Sequence, residues 1–238
     1  MSEILPWDVH SNEERTPDEL TTFIVFCEDG VCEPLYLKSL AGEKVKINVI
    51  DNSREGDTQV SKALKHCLRE GNAQWIEEQY KLLEDVKDLV WCVYDRDLKS
   101  ENMEEIAEED CISFDNSIIN AERAGLKVAW SNDCFELWIL LHFEDVPLKP
   151  FHRNYIYDRL TERCKTLPDQ HPFLEKITTN DRFNYKESLK QNKRFTYILS
   201  YLRENRSDAI ERANALVQHH EKKTFPSAKP MYSYTLSC

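Results

Sequence analysis

The sequence predicts an α/β fold in which a parallel sheet is flanked by helices and followed by a helical C-terminal region. Over residues 21–148, apolar runs rich in β-branched and aromatic residues alternate with stretches of helical spacing. From Phe151 onward the strand signal disappears. Such runs are typical of strands buried on both faces of a parallel sheet, and their alternation with helices indicates right-handed crossovers.

Nine elements are predicted in this first part of the chain. The strands cover residues 21–28, 44–51, 88–94 and 126–130. The helices cover residues 33–40, 58–68, 73–83 and 113–124, and a fifth helix of about ten residues lies within SNDCFELWILLHF. Pro34 suits a first helical turn, and Ser131, Asn132 and Asp133 are predicted N-caps of the fifth helix.

Three domain-level segments follow from this pattern. Residues 1–20 are predicted to be a flexible N-terminal segment, residues 21–148 an α/β domain, and residues 149–238 a helical region. Within the helical region, helices are predicted at residues 154–165, 185–205 and 207–222, with a loop over residues 166–184. The tail after Pro226 is expected to be poorly ordered.

Composition excludes several classes of protein. No apolar stretch approaches the roughly 18 residues that cross a bilayer, and the acidic N-terminus has no secretory pattern, so a cytoplasmic location without membrane contact is expected. The eight cysteines are scattered without a Cys-x-x-Cys pair, which favours free thiols over disulfides or structural zinc.

Charge is divided unevenly along the chain. The formal net charge is −12, but residues 1–150 carry −18 and residues 151–238 carry +6. The basic part could grip a polyanion, or it could be an ordinary solvated helical surface. The candidate nucleic-acid-binding residues alternate with aromatic side chains and are Lys186, Lys190, Lys193 and Arg194. The alternative is an amphipathic helix with its aromatics buried.

Acidic residues stand at the ends of two predicted strands. Glu28 closes FIVFCE, and Asp95 and Asp97 close LVWCVYDRD. Ligand sites of open α/β sheets lie at the carboxyl ends of the strands, so neighbouring strands would bring these acids together. Crowded carboxylates repel one another unless a cation lies between them, which predicts a Mg²⁺ or Mn²⁺ site.

Four other residues have both a structural and a functional interpretation. Glu136 and Glu33 would favour the N-terminal turns of their helices, but each could also contact metal or substrate. Asp29 is interpreted as a turn residue rather than an additional ligand. His142 is interpreted as a packed core histidine rather than a catalytic base.

Three blocks of sequence carry a resemblance to a known family. They are Cys27-Glu28-Asp29-Gly30-Val31-Cys32-Glu33-Pro34-Leu35-Tyr36, then Val93-Tyr94-Asp95-Arg96-Asp97, then Ser131-Asn132-Asp133-Cys134-Phe135-Glu136-Leu137-Trp138-Ile139-Leu140-Leu141-His142-Phe143. In this order they resemble the RloB family, whose core is similar to a Toprim domain. The detailed match covers residues 20–145.

The resemblance implies a Toprim-like parallel sheet and a magnesium-dependent active site for phosphodiester chemistry. It implies that Glu28 is the catalytic glutamate and that Asp95 and Asp97 are metal ligands. It also implies a role in bacterial antiphage defence beside an ATPase partner. Asp29 departs from the family pattern, which usually has glycine directly after the glutamate.

Three functional hypotheses follow. The first is a metal-dependent endonuclease whose catalytic residues are Glu28, Asp95, Asp97 and Glu136, acting on DNA, tRNA or another RNA as a monomer or homodimer. The second is a catalytically silent nucleic-acid-binding or regulatory subunit of a defence complex. The third is a haloacid-dehalogenase-like phosphatase with Asp95 as nucleophile, which is weakened because Lys99 stands where that motif has Thr or Val.

Overall fold

A computed structural model describes residues 20–51, 59–97, 100, 108–149, 151–168 and 171–221. Its strands are β1 (Thr21–Cys27), β2 (Val45–Asp51), β3 (Ala73–Ile76), β4 (Gln79–Leu82), β5 (Val90–Asp95) and β6 (Lys127–Ser131). Four of them form a parallel sheet in the order β2-β1-β5-β6. The predicted α/β class and its four parallel strands are confirmed.

The helices lie on both sides of this sheet and in the C-terminal region. They are α1 (Cys32–Lys38), α2 (Gln59–Arg69), α3 (Glu108–Arg123), α4 (Glu136–Leu141), α5 (Arg153–Lys165), α6 (Pro172–Thr178), a π-helix (Lys186–Lys190), a 3-10 helix (Lys193–Ile198), α7 (Leu199–Glu204) and α8 (Arg206–Glu221).

The sheet separates two hydrophobic cores, because successive side chains of a strand point to opposite faces. Phe26 and Trp130 pack with α2 and α3 on one face. Val25 and Ala129 contribute to the other core, which also contains Ile139 of α4 and the apolar side chains of α5 to α8. The C-terminal helices therefore share a core with the sheet.

The prediction of a helix over residues 73–83 is wrong. This segment forms an antiparallel hairpin in which Trp75 faces Tyr80, with their ring centroids 4.5 Å apart. Glu77 and Glu78 occupy the turn with φ of 50° and 63°. Positive φ at both turn residues matches the twist of a two-residue hairpin, and the cross-strand aromatic contact supports the paired strands.

The predicted N-caps of the helix after β6 are also wrong. Helix α4 has six residues, and its N-cap position is Phe135, which makes no side-chain capping bond. Ser131 is instead the last residue of β6, and the Asp133 carboxylate is bound by Arg153. The Asp133 carboxylate accepts both the backbone N–H and the guanidinium of Arg153 at the start of α5, and so it does not cap α4.

The C-terminal region differs from the prediction in two places: a helix forms where a loop was predicted, and one predicted long helix is divided into shorter segments. The predicted loop over residues 166–184 includes α6, where Pro172 occupies the first turn and the His171 side chain accepts the Phe173 N–H. The predicted helix over residues 185–205 is divided because Asn192 accepts the Arg194 N–H at 3.1 Å and starts a new helical segment. Helices α5 and α8 agree with the sequence prediction.

Two expectations from composition agree with the structure. Within the described part of the chain, no helix has the length and apolarity that a bilayer crossing requires. The cysteines whose side chains are described are buried thiols, as predicted: Cys27, Cys32, Cys67, Cys92, Cys134 and Cys164. The predicted flexible segment (residues 1–20) and the tail after Pro226 lie outside the described residues, apart from Leu20.

Candidate metal centre

Glu28 and Asp95 meet at the carboxyl edge of the sheet. Strands β1 and β5 are parallel neighbours, so the loop after β1 and the end of β5 lie side by side. Glu28 Oε2 accepts the backbone N–H of Asp95 at 3.1 Å. The convergence predicted for these two acids is therefore observed.

Asp97 has a different partner. Its backbone has φ of 50°, and Asp97 Oδ1 lies 2.8 Å from Nη1 of Arg153 on α5. The same guanidinium binds Asp133, whose side chain is completely buried. Asp97 therefore forms part of an arginine-centred ion-pair group, and two-thirds of its side chain remains exposed. Its role as a metal ligand stays a prediction.

Two completely buried glutamates complete the acidic cluster. Glu33 lies in the first turn of α1, and Glu33 Oε2 accepts the N–H groups of Glu28 at 3.1 Å and Asp29 at 3.2 Å. Glu136 lies in the first turn of α4, as predicted. The sequence interpretation of Glu33 as a helix-end residue missed its bonds to the loop after β1. The only signal was its position five residues after Glu28.

Two carboxylate oxygens of this cluster are buried without a hydrogen-bond partner. They are Glu33 Oε1 and Asp95 Oδ1. Burial, together with Asp29 and Glu28, raises the pKa of Glu33 well above its usual value. Burial, with Glu33 and Glu136 nearby, likewise raises the pKa of Asp95. Buried polar atoms are rarely left unpaired, so this donor set fits a cation bound by oxygen ligands.

Glu28 differs from these acids because part of its side chain is exposed to solvent. Loss of hydration around its carboxylate, with Asp97 adding repulsion, raises the pKa of Glu28 to about 7, although the Asp95 N–H opposes this. A carboxyl group with a pKa near neutral can exchange protons efficiently at neutral pH.

Asp29 has two contacts. Its Oδ1 accepts the Val31 N–H at 2.8 Å, which is the turn predicted from the sequence, and Cys32 Sγ lies 2.7 Å from Oδ2. Asp29, Cys32 and Glu136 each present a ligand atom within 4.8 Å of the others. Among the described residues, this is the one group of three such side chains that meets this spacing.

Lys190 projects from the π-helix into the acidic cluster. Its Nζ lies 2.9 Å from Glu136 Oε2 and 3.1 Å from the Tyr157 hydroxyl, and 5.4 Å from the centre of the Tyr157 ring. Burial alone would lower the pKa of Lys190, but the adjacent Glu136 carboxylate raises it well above its usual value. Lys190 is thus engaged internally rather than presented to solvent.

The other predicted nucleic-acid-binding residues lie at the surface. Lys186, Lys193 and Arg194 are exposed. Two of the aromatic residues that alternate with these cations, Tyr185 and Phe195, are completely buried. The aromatics of this segment therefore serve the core, and phosphate binding by the three exposed cations stays a prediction.

His142 is a packed core residue, as interpreted from the sequence. Its imidazole contacts the Tyr36 hydroxyl at 3.1 Å and the Trp138 carbonyl oxygen at 2.8 Å. Burial lowers the pKa of His142 to about 4, so its ring is neutral at pH 7.

A cleft of about 640 Å³ adjoins the acidic edge of the sheet. Glu28, Asp95 and Asp97 line it together with polar and aromatic side chains from α2, β4 and α3. Gln59 holds the two neighbouring strands together at its floor, where Nε2 donates to the carbonyl oxygens of Phe26 and Val93 at 3.0 and 2.9 Å. The cleft is large enough for a small ligand or a segment of a polymer.

Comparison with known proteins gives one match. Residues 23–233 match the sequence model of a family described as RloB-like protein. No curated protein and no solved structure matches the chain.

Proposed function

Because the chain belongs to the RloB-like family, we propose that it is a metal-dependent nuclease that serves as an effector of antiphage defence. The observation that carries the proposal is the pair of buried, unpartnered carboxylate oxygens, Glu33 Oε1 and Asp95 Oδ1, beside an open cleft. Burying carboxylates without partners lowers the stability of a fold. We therefore infer that these acids serve a function in which they bind a cation.

Asp95 and Glu33 would hold the ion through these oxygens, and Glu28 stands at the cleft side of the same cluster. Oxygen ligands of this kind suit Mg²⁺ or Mn²⁺. A bound divalent ion supplies Lewis-acid stabilisation of the charge that develops on a phosphate during phosphodiester hydrolysis.

The protein residues supply positioning and proton transfer. Glu28, with a pKa of about 7, is suited to take a proton from an attacking water. Glu33 fixes the backbone on either side of the Glu28 Cα by accepting the N–H groups of Glu28 and Asp29, and so limits the positions that the Glu28 side chain can reach. Asp97 lines the cleft, and its carboxylate forms an ion pair with Arg153.

Nucleic acid is the proposed substrate because the chain combines an acidic cluster with exposed cations. Lys186, Lys193 and Arg194 are exposed on the C-terminal region, and such side chains bind backbone phosphates without reading bases. The proposal therefore covers DNA and RNA substrates, including tRNA.

Cleavage assays test the proposed activity. The purified chain is incubated with plasmid DNA and with total cellular RNA in Mg²⁺ or Mn²⁺, beside Glu28→Gln and Asp95→Asn variants. We expect both variants to lose at least about 100-fold in rate, because Glu28→Gln removes the proposed general base and Asp95→Asn removes a proposed ligand of the ion. Glu43→Gln, at an exposed glutamate outside the cleft, is the matched control. Equal cleavage by the wild type and both variants would reject the site.

The defence role and the ATPase partner rest on the resemblance to the RloB family alone. They are tested by infecting cells that carry this gene, together with a gene for a neighbouring ATPase, with a panel of phages. Protection that is lost with Asp95→Asn supports a nuclease effector. Protection that persists with Asp95→Asn supports the alternative, a catalytically silent binding or regulatory subunit.

A further inference from the structure

Lys190 brings a positive charge from the C-terminal region to the acidic cluster. Lys190 is the last residue of the π-helix and lies 54 residues after Glu136, and its ammonium ends 2.9 Å from Glu136 Oε2. The Tyr157 hydroxyl and ring hold the ammonium from the other side. These three contacts, one to Glu136 and two to Tyr157, hold the positive charge of Lys190 at one position.

The opposite oxygen of Glu136 belongs to a group that could bind a cation. Glu136 Oε1 lies 3.4 Å from Cys32 Sγ, which in turn lies 2.7 Å from Asp29 Oδ2. Glu33 lies beside this group, because its Oε2 accepts the Asp29 N–H. Its side chain is completely buried, and its Oε1 has no hydrogen-bond partner. The ligand atoms are therefore close enough for a second ion, next to the oxygens that would hold the first.

We propose that the Lys190 ammonium replaces a second metal ion at Glu136, so that the cluster accepts one divalent ion at Glu33 and Asp95. A second divalent ion at Asp29, Cys32 and Glu136 would share the Glu136 carboxylate with a fixed ammonium. Repulsion between cations this close, in a site with little water, is strong.

The inference rests on the proposed function, because it concerns the same acidic cluster. Lys190 is in this scheme a positioning residue that acts through Glu136. The C-terminal region then belongs to the site: without it, Glu136 has no fixed cation and a sulfur-containing site becomes available.

Cadmium binding to the full chain tests this. Cd²⁺ accepts both oxygen and thiolate ligands, and a cadmium–thiolate bond is seen as a charge-transfer absorption in the ultraviolet. The number of ions bound is measured by calorimetry for the wild type, Lys190→Met, Lys190→Arg and Lys186→Met. Lys186→Met is the matched control, because Lys186 lies on the same π-helix and over the same Tyr157 ring, at 5.7 Å.

We expect one ion for the wild type, Lys190→Arg and Lys186→Met, and two for Lys190→Met. The second ion should bring an absorption band that disappears in Lys190→Met combined with Cys32→Ser. One ion in both the wild type and Lys190→Met overturns the inference and leaves the proposed function intact. A wild type that binds two ions overturns the inference as well.

No ion in the wild type but one in Lys190→Met contradicts the proposed function and the ion at Glu33 and Asp95, and supports only the part of the inference in which Lys190 replaces an ion at Glu136. No ion in either protein contradicts both. Should Lys190→Met fail to fold by circular dichroism, Lys190→Gln removes the charge and keeps a polar contact with Glu136. The same counts then decide the question.

Discussion

Glu33 Oε2 accepts the backbone N–H of Glu28 at 3.1 Å, so the loop that presents the proposed catalytic glutamate depends on a second, completely buried glutamate. The same oxygen also accepts the Asp29 N–H. One carboxylate therefore has two tasks: its Oε2 organises the loop, and its unpartnered Oε1 is available to a cation.

Glu33→Gln should separate these two tasks. Glutamine keeps one acceptor oxygen for the loop but loses the negative charge, so we expect nearly unchanged unfolding free energy and Mn²⁺ affinity reduced at least about 10-fold. Glu33→Ala leaves two N–H groups without an acceptor and should cost about 1 to 3 kcal/mol of unfolding free energy. Urea denaturation and Mn²⁺ titration measure both effects. Unchanged Mn²⁺ affinity in Glu33→Gln would exclude this carboxylate as a ligand.

Metal binding should strengthen with rising pH because of Glu28. Its pKa is raised to about 7 in the folded protein, so the carboxyl is protonated below that pH and ionised above it. A cation favours the ionised forms of Glu28 and of the proposed ligands Glu33 and Asp95, whose pKa values are also raised, so binding near neutral pH should release protons and Mn²⁺ affinity should rise as the pH passes through about 7. Calorimetry in buffers of different ionisation enthalpy counts these protons. Glu28→Gln should weaken this dependence, and an unaltered pH dependence would contradict the assignment.

Arg153 should be a major contributor to stability. It binds the completely buried Asp133 and also Asp97, so Arg153→Met leaves a buried carboxylate without its cation. We expect a loss of about 3 kcal/mol in unfolding free energy, typical of breaking a buried pair from one side. Adding Asp133→Asn should recover part of that loss, because the uncompensated charge is removed. Denaturant unfolding of the two single variants and the double variant gives the coupling, and strict additivity would argue against the pair.

His142 should make the fold sensitive to acid. Burial lowers the pKa of His142 from 6.5 to about 4, so the unfolded chain takes up this proton first as the pH falls. The neutral His142 side chain therefore stabilises the fold fully above pH 6.5, and this stabilisation is lost as the pH falls from 6.5 to about 4. For such a shift, the loss is about 3 kcal/mol of unfolding free energy. The raised pKa of Glu28 changes the unfolding free energy in the opposite direction as the pH falls. This effect is the same in the wild type and in His142→Gln, so it cancels when the two are compared. Unfolding free energies of the wild type and His142→Gln across this range should therefore diverge, and parallel curves would contradict the prediction.

Strand positions follow from the sequence because they depend on patterns local to each strand, whereas the meeting of Glu28 with Asp95 also required β1 and β5 to be neighbours. An apolar run of strand length identifies β1 and β5, and parallel neighbours place their following residues at one edge. The hairpin at β3 and β4 was missed because a short polar segment with one buried face fits helical and strand spacing almost equally.

By itself, the sequence determined the α/β class, the family, and the three acids that line the cleft, which are Glu28, Asp95 and Asp97. Only the tertiary structure decided that Asp97 pairs with Arg153, that Glu33 supports the Glu28 loop, and that Lys190 neutralises Glu136 rather than facing solvent. The physical reason is distance along the chain. Local patterns determine which element a residue joins, whereas the partner of a buried charge depends on how distant elements pack, and no local pattern contains that information.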